Sequence, residues 1–210
     1  MSDRNLKSTN LLIIFTRNPE LGKVKTRLAK EVGDQAALDI YKFLLDHTVS
    51  VTKNLEVTLE VHYSEEIRHN DIWDEDTYIK KQQIEGGLGE KMEQAFLSGF
   101  RNGYKNIIII GSDLYDLNQE DIELAFTALE TFETILGPAE DGGYYLLGMN
   151  TFNPIIFKNK AWGTDTVLRD TLIDLKDRQI QLLEERNDID VYEDIQDHQD
   201  FQQFLQHKKL

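Results

Sequence analysis

Residues 106–113 read NIIIIGSD. The apolar run is too short for a helix. Four β-branched side chains in a row, with no polar alternation, fit a strand buried on both faces, as in the centre of a parallel sheet. The Gly-Ser-Asp that stops it leaves a carboxylate, Asp113, at the strand's end. Upstream, LLIIF (11–15) has the same character and runs into a Pro/Gly loop. VKTRLAKEV then predicts a helix stopped at Gly33. Asp34 is placed to cap a second helix, QAALDIYKFLLDHTVSVTKN, in which Ala37, Tyr41, Leu44, Leu45, Thr48 and Val51 recur at helical spacing. LEVTLEVHY (55–63) alternates as a strand does, TYIKKQQ (77–83) is a further strand, and residues 86–103 form a Gly-rich turn into a helix. Downstream, a helix over 119–130, a strand over 133–136, the segment GPAEDGGYYLLGM, a helix near 164–178 and a strand over 180–185 complete the order. Alternating strands and helices predict a single α/β domain over residues 1–210, with a mostly parallel sheet and helices on both faces.

In such sheets ligands sit outside the carboxyl ends of the strands. Three polar segments fall there: residues 17–27, residues 111–113 and the loop 137–143. Their order predicts that they converge.

Composition narrows what they do. The chain has 210 residues, 23 basic against 38 acidic, and a net charge of −15. Such a surface repels nucleic acid and anionic membrane unless its cations are gathered. The absence of cysteine excludes disulfides and thiolate chemistry. MSDRNLKSTN at the N-terminus has no apolar signal core, and no run approaches the roughly 20 apolar residues of a membrane span. The expectation is a cytoplasmic protein without membrane insertion.

Against that acidic background, FTRNPELGKVKTRLAK (15–30) gathers Arg17, Lys23, Lys25, Arg27 and Lys30 after the first strand. Lysine and arginine beside a Gly-containing turn that enters a helix suit a phosphate; the alternative is a solvated basic helix face. GKVKT lacks the glycine four residues before the Gly-Lys pair, so it is no Walker A loop. Asp113 is placed to hold a divalent cation, or else to make a turn. Asp116 and Asn118 read as turn or cap residues, and Asp165 as the cap of the following helix. Asp141-Gly142-Gly143 allows close backbone approach to a ligand, and equally makes a hairpin turn. Trp162 is a stacking platform or a loop anchor. The run DIDVYED (188–194) reads alone as a solvated acidic stretch. His47, His62, His69, His198 and His207 show no ligand spacing, and no G-x-S-x-G accompanies a Ser-His-Asp set.

Taken together these segments resemble the glycosyltransferase-A-like family called radical-SAM/selenodomain-associated transferase 1. Its F-x-K-x-P-x-x-G-x-V-K-T-R-L-A opening is matched by residues 15–29, with Arg17 for the usual Lys. Its LGERM element is matched by QIEGGLGEKM (83–92), GPAxDGGYYLLG by residues 137–148, W…V-L-x-x-T-L by WGTDTVLRDTL (162–172), and DIDTxEDL by DIDVYEDI (188–195). GSDLYDL matches G-[ST]-D-C-P-x-L in part, Leu114 and Tyr115 standing where the pattern has Cys-Pro.

The resemblance implies the nucleotide-diphospho-sugar transferase fold, a Rossmann-like three-layer α/β/α sandwich with a mostly parallel mixed sheet. The same fold carries nucleotidyltransferases, including guanylyltransferases. It implies phosphate contacts from Arg17, Gly22, Lys25 and Arg27, and a base near Gln83, Leu88 and Gly89. It implies Mg²⁺ or Mn²⁺ on Asp113 and Asp190, with Asp113, Asp141 and Lys25 serving the chemistry. Gly142, Gly143, Tyr144 and Trp162 would border the acceptor pocket. The function so implied is transfer from a nucleotide donor, a nucleotide sugar, to a small-molecule acceptor. The alternatives are nucleotidyl transfer to a phosphorylated acceptor with release of pyrophosphate, and nucleotide binding without turnover.

Overall fold

The computed structural model describes residues 8–205; most of the N-terminal stretch and His207 lie outside them. Strands β1 (Asn10–Thr16), β2 (Thr58–Tyr63), β3 (Tyr78–Gln82), β4 (Asn106–Ile110), β5 (Thr134–Pro138), β6 (Tyr144–Met149) and β7 (Ile180–Leu182) form one sheet in the order β3-β2-β1-β4-β6-β5-β7. The isoleucine run is the fourth of its seven strands. All four isoleucines are buried, Ile107 and Ile109 on one face, Ile108 and Ile110 on the other.

Helices α1 (Thr26–Val32), α2 (Asp34–Thr52), α3 (Leu88–Arg101), α4 (Gln119–Ala128), α5 (Val167–Asp174) and α6 (Gln202–Leu205) flank the sheet. On one face Leu38, Tyr41 and Leu45 of α2 and Ile122, Ala125 and Phe126 of α4 pack on Leu12, Ile14, Ile108 and Ile110. On the other, Met92, Ala95 and Phe96 of α3 pack on Leu11, Ile13, Ile107 and Ile109, with Leu168 and Leu172 of α5 against the same cluster. The central strands β1 and β4 alternate their side chains between these two cores, which is why they are apolar on both faces. The result is the expected α/β/α sandwich.

The sheet is mixed because β6 runs antiparallel between β4 and β5. β5 and β6 are joined by residues 139–143 alone, and a link that short returns a strand only as its antiparallel neighbour. Ala139 N–H donates to the Gly143 carbonyl at 3.1 Å and Gly142 N–H to the Ala139 carbonyl at 2.9 Å. The hairpin reading of Asp-Gly-Gly is therefore the structural one, and the central strand has one parallel and one antiparallel neighbour.

Two capping expectations fail. Gly33, in a conformation with φ 85°, is the cap residue of α2, and Asp34 is its first helical residue. Thr166 stands at the cap of α5 with no side-chain bond, so Asp165 does not cap it. Asn118 does cap α4, exchanging two 3.0 Å bonds with Asp121. The acidic stretch after β7 is no free tail. Ile189, Ile195 and Phe201 are buried against Leu28 of α1 and Ile40 and Leu44 of α2. Among the described residues no helix is long and apolar enough to cross a membrane.

Candidate active site

The parallel strands β1, β2, β3 and β4 deliver their carboxyl ends to one edge of the sheet, and the β5–β6 turn reaches the same edge. A network of hydroxyls fixes the first and fourth strands there. Tyr41 of α2 is buried, lies 3.2 Å from Ser112 Oγ and 3.3 Å from Thr16 Oγ1, and accepts the Arg17 N–H at 2.9 Å. Thr16 and Ser112 also bond each other. The two loops that carry Arg17 and Asp113 are thereby tied to one helix residue.

Lys25 joins them chemically. It sits just before α1 in the left-handed region, φ 46° and ψ 44°, which costs a non-glycine residue roughly 1–2 kcal/mol. That backbone turn sends its side chain inward, 5% exposed, where Nζ donates to Asp113 Oδ2 at 2.8 Å. Burial works against the ammonium charge. The Asp113 carboxylate, with Asp190 and Asp188 beyond it, outweighs burial and holds the lysine above its ordinary range.

Two hollows meet at this pair. The first, of about 840 Å³, is lined by Arg17, Lys23, Lys25, Arg27, Lys91 and Gln83, with Asp190 on its rim. Arg27 donates to Asp190 at 2.7 Å, and Lys23 bonds Glu20. Among the described residues Arg17 and Lys91 make no side-chain hydrogen bond or ion pair, so two cations face this cleft uncompensated. The Gln83 amide bonds the His62 carbonyl at 2.9 Å, anchoring the third strand's end beside it.

The second hollow, of about 200 Å³, is lined by Met92, Leu114, Leu117, Tyr144, Tyr145 and Trp162 together with Asp113, Asp141 and Asp188. Leu88, Gly111 and Asp113 border both hollows. The three expected segments thus converge, and a fourth, residues 187–191, joins them. Ile189 N–H reaches the Asp113 carbonyl at 3.3 Å. Asp194 holds this stretch by accepting from Asn187, Asp190 N–H and Val191 N–H at 2.7–2.8 Å.

Asp188 was absent from the sequence reading, which chose Asp190. The two lie two residues apart on an extended stretch, and the structure separates them. The Asp190 carboxylate is taken by Arg27. Asp188 turns into the cavity, where burial first, and then the like charges of Asp113 and Asp141, push its carboxyl up to about 6. Alternation around the buried Ile189 was the available signal: its neighbours flank it on one strand-like stretch, but nothing in the letters says which carboxylate meets Asp113.

The glycines act from behind. Gly22, Gly89 and Gly142 line neither hollow. A side chain at Gly89 would meet the Trp162 indole at 2.3 Å, so this glycine admits the indole onto α3. Gly142 has φ 84°, and a side chain there would meet the Asp165 backbone at 2.3 Å. Gly143 lines the cavity and donates its N–H to Asp141 Oδ1 at 2.8 Å, orienting that carboxylate. Trp162 packs edge-on to Tyr144, ring centres 6.3 Å apart, as both anchor and wall. Leu114 is buried in the same wall. Tyr115 turns the other way, into a cluster with Phe43, His198 and Phe201, and its hydroxyl donates to Asp200 at 2.7 Å. Burial and that bond push its phenol up to about 12. The two residues that depart from Cys-Pro therefore leave Asp113 on Lys25 and fasten its loop to the C-terminal segment.

This architecture is that of proteins with the nucleotide-diphospho-sugar transferase fold. A crystal structure of a "putative nucleotide-diphospho-sugar transferase" from Desulfovibrio desulfuricans G20 is similar over 95% of this chain and 95% of that one, with 26% identity and a TM-score of 0.82. The inositol-1-phosphate CTP transferase of T. maritima matches over 96% and 97% at 13% identity, TM-score 0.54, a likeness of fold. Rv0371c of Mycobacterium tuberculosis H37Rv, in complex with manganese, matches over 94% and 98% at 11% identity, TM-score 0.50. Residues 47–164 match the family described as "Uncharacterized protein conserved in bacteria (DUF2064)", and the chain belongs to that family. No curated protein matches it by sequence.

Proposed function

We propose that this chain is a divalent-metal-dependent transferase that takes a nucleotide sugar as donor and a small molecule as acceptor. The observation that carries the reading is Arg17 and Lys91, two cations without partners in a cleft that opens onto the Lys25–Asp113 pair. A diphosphate in that cleft neutralises them, and Arg27 and Lys25 lie within the same wall. The Desulfovibrio protein, similar over nearly all of both chains, supports the same class of donor.

The residues fit a hard cation. Mg²⁺ and Mn²⁺ take oxygen ligands and need only one or two protein carboxylates when phosphate and water supply the rest. Asp113 and Asp188 offer those oxygens; burial chiefly, and the neighbouring charge of Asp113, push the Asp188 carboxyl up, a cost that a bound cation would relieve. Among the described residues no group of three or more His, Cys, Asp or Glu side chains is arranged to hold a metal alone. Asp190 serves instead to position Arg27. Asp113 and Asp188 would hold the ion, whose chemistry there would be Lewis-acid stabilisation of the departing phosphate.

In the transfer itself the acceptor oxygen forms its bond to the sugar's anomeric carbon, and the bond from that carbon to the diphosphate oxygen breaks. The nucleoside diphosphate leaves into the cationic cleft, and the hydroxyl proton passes to Asp141, whose second oxygen is free of the Gly143 bond. The number of cations in the cleft also favours a second reading, attack on the α-phosphate of a nucleoside triphosphate with release of pyrophosphate. Product analysis separates them: nucleoside diphosphate supports the first, pyrophosphate the second. A donor that binds but is never turned over contradicts both and leaves a binding protein.

A further inference from the structure

Resting on that reading, we infer that the acceptor is an uncharged hydroxyl compound with an apolar or aromatic face, about one ring in size, and that phosphorylated acceptors are excluded. The inference comes from what lines the smaller cavity and from what does not.

Among the described residues no lysine, arginine or histidine lines it. An anionic group also finds no backbone donor in the glycine turn. Gly142 N–H is spent on the Ala139 carbonyl and Gly143 N–H on Asp141. With Asp113 and Asp188 given to the metal, a phosphate in this cavity still meets the Asp141 carboxylate and no cationic side chain in the lining, an arrangement that disfavours it. A hydroxyl finds the reverse. The Asp141 carboxylate can accept its hydrogen bond, while Trp162, Tyr144, Met92, Leu114 and Leu117 supply apolar lining. About 200 Å³ exceeds the roughly 150 Å³ of an engineered cavity that holds benzene. That is space for one ring.

2-(4-Hydroxyphenyl)ethanol and its monophosphate ester, one ring each, test this as a matched pair, titrated calorimetrically into the protein with Mn²⁺ and UDP or GDP, and again without nucleotide. The neutral alcohol is expected to bind at least about tenfold more tightly than the phosphate. Trp162→Ala is expected to weaken it about fivefold or more, while Trp162→Phe, which keeps an aromatic wall, restores most of the affinity. Equal or tighter binding of the phosphate overturns the inference. So does no binding of the alcohol, or binding that ignores Trp162→Ala. Failure of every nucleotide to bind defeats the proposed function separately, since the acceptor preference is read in the nucleotide-free titration.

Discussion

The two hollows on either side of Asp113 make opposite use of charge. The larger gathers cations on a protein of net charge −15, and two of them are left without partners. The smaller gathers carboxylates and aromatic rings, and among the described residues no cation lines it. Lys25 is the seam, drawn from the cationic loop yet buried against the acidic side. The difference teaches that the site is divided by chemistry, as the proposed transfer requires, with phosphates assigned to one side and the acceptor hydroxyl to the other. It also gives the seam residues unequal roles that substitutions can separate.

Asp113→Asn strikes both sides at once. It removes a carboxylate from the metal site and leaves a buried ammonium without its partner, so transfer should fall by about 100-fold or more with metal in excess. Steady-state turnover of the donor measures this. Loss of under tenfold would mean the seam is structural.

Asp188→Asn and Asp190→Asn divide the two carboxylates that the sequence leaves indistinguishable. The first should lower activity by about 100-fold and weaken Mn²⁺ binding. The second frees Arg27 and should cost about tenfold or less, mostly in the Michaelis constant for the donor. The reverse order would return the metal to Asp190.

Gly142→Ala tests the turn that carries Asp141. Positive φ and the nearby Asp165 backbone both oppose a side chain there, so stability should drop by about 2–3 kcal/mol. For a chain of this size that lowers the melting temperature by roughly 4–12 °C. An unchanged melt would mean that the turn yields easily.

The smallest effect concerns pH. The Asp188 carboxyl lies near 6 in the folded protein against 3.8 for an ordinary aspartate. The folded state therefore holds this proton more tightly than the unfolded chain. Asp188 costs stability progressively as pH rises from about 4 to 6, and the cost is complete above that. Asp188→Asn removes it. Metal-free protein carrying the substitution should melt higher at pH 7, by about 1 kcal/mol once solvent screening is allowed for, with no difference at pH 4. A lower melt at pH 7 would show Asp188 already compensated.

Much of the fold is legible because it depends on local signals. The isoleucine run announces the central strand, and the Pro/Gly loop with its lysines announces the cleft, since clustered cations stand out on an acidic chain. Asn118 reads as a cap because Asp121 completes its box. What escapes is whatever depends on partners distant in sequence. Asp34 and Asp165 have cap-like side chains, yet the backbone turns at Gly33 and around Gly142 decide where α2 and α5 begin. The antiparallel β6 hides in Asp-Gly-Gly, which serves a hairpin and a ligand loop equally well. The acidic stretch looks solvated until Ile189 and Phe201 are seen buried on α1 and α2, and only then does Asp188 enter the site. Tyr115 reads as a departure from a motif. In three dimensions it fastens the Asp113 loop to that same stretch.

The central claim is that phosphate and metal are bound together at the seam. Its most direct test is the thermal shift of the intact protein with UDP or GDP, with and without Mn²⁺, alongside Asp113→Ala. At 100 times its dissociation constant a nucleotide stabilises by about 2.7 kcal/mol, a rise of roughly 5–11 °C. The account predicts that rise for at least one nucleotide, only with metal, and its loss in Asp113→Ala. A rise of the same size without metal, or one that survives Asp113→Ala, would contradict it.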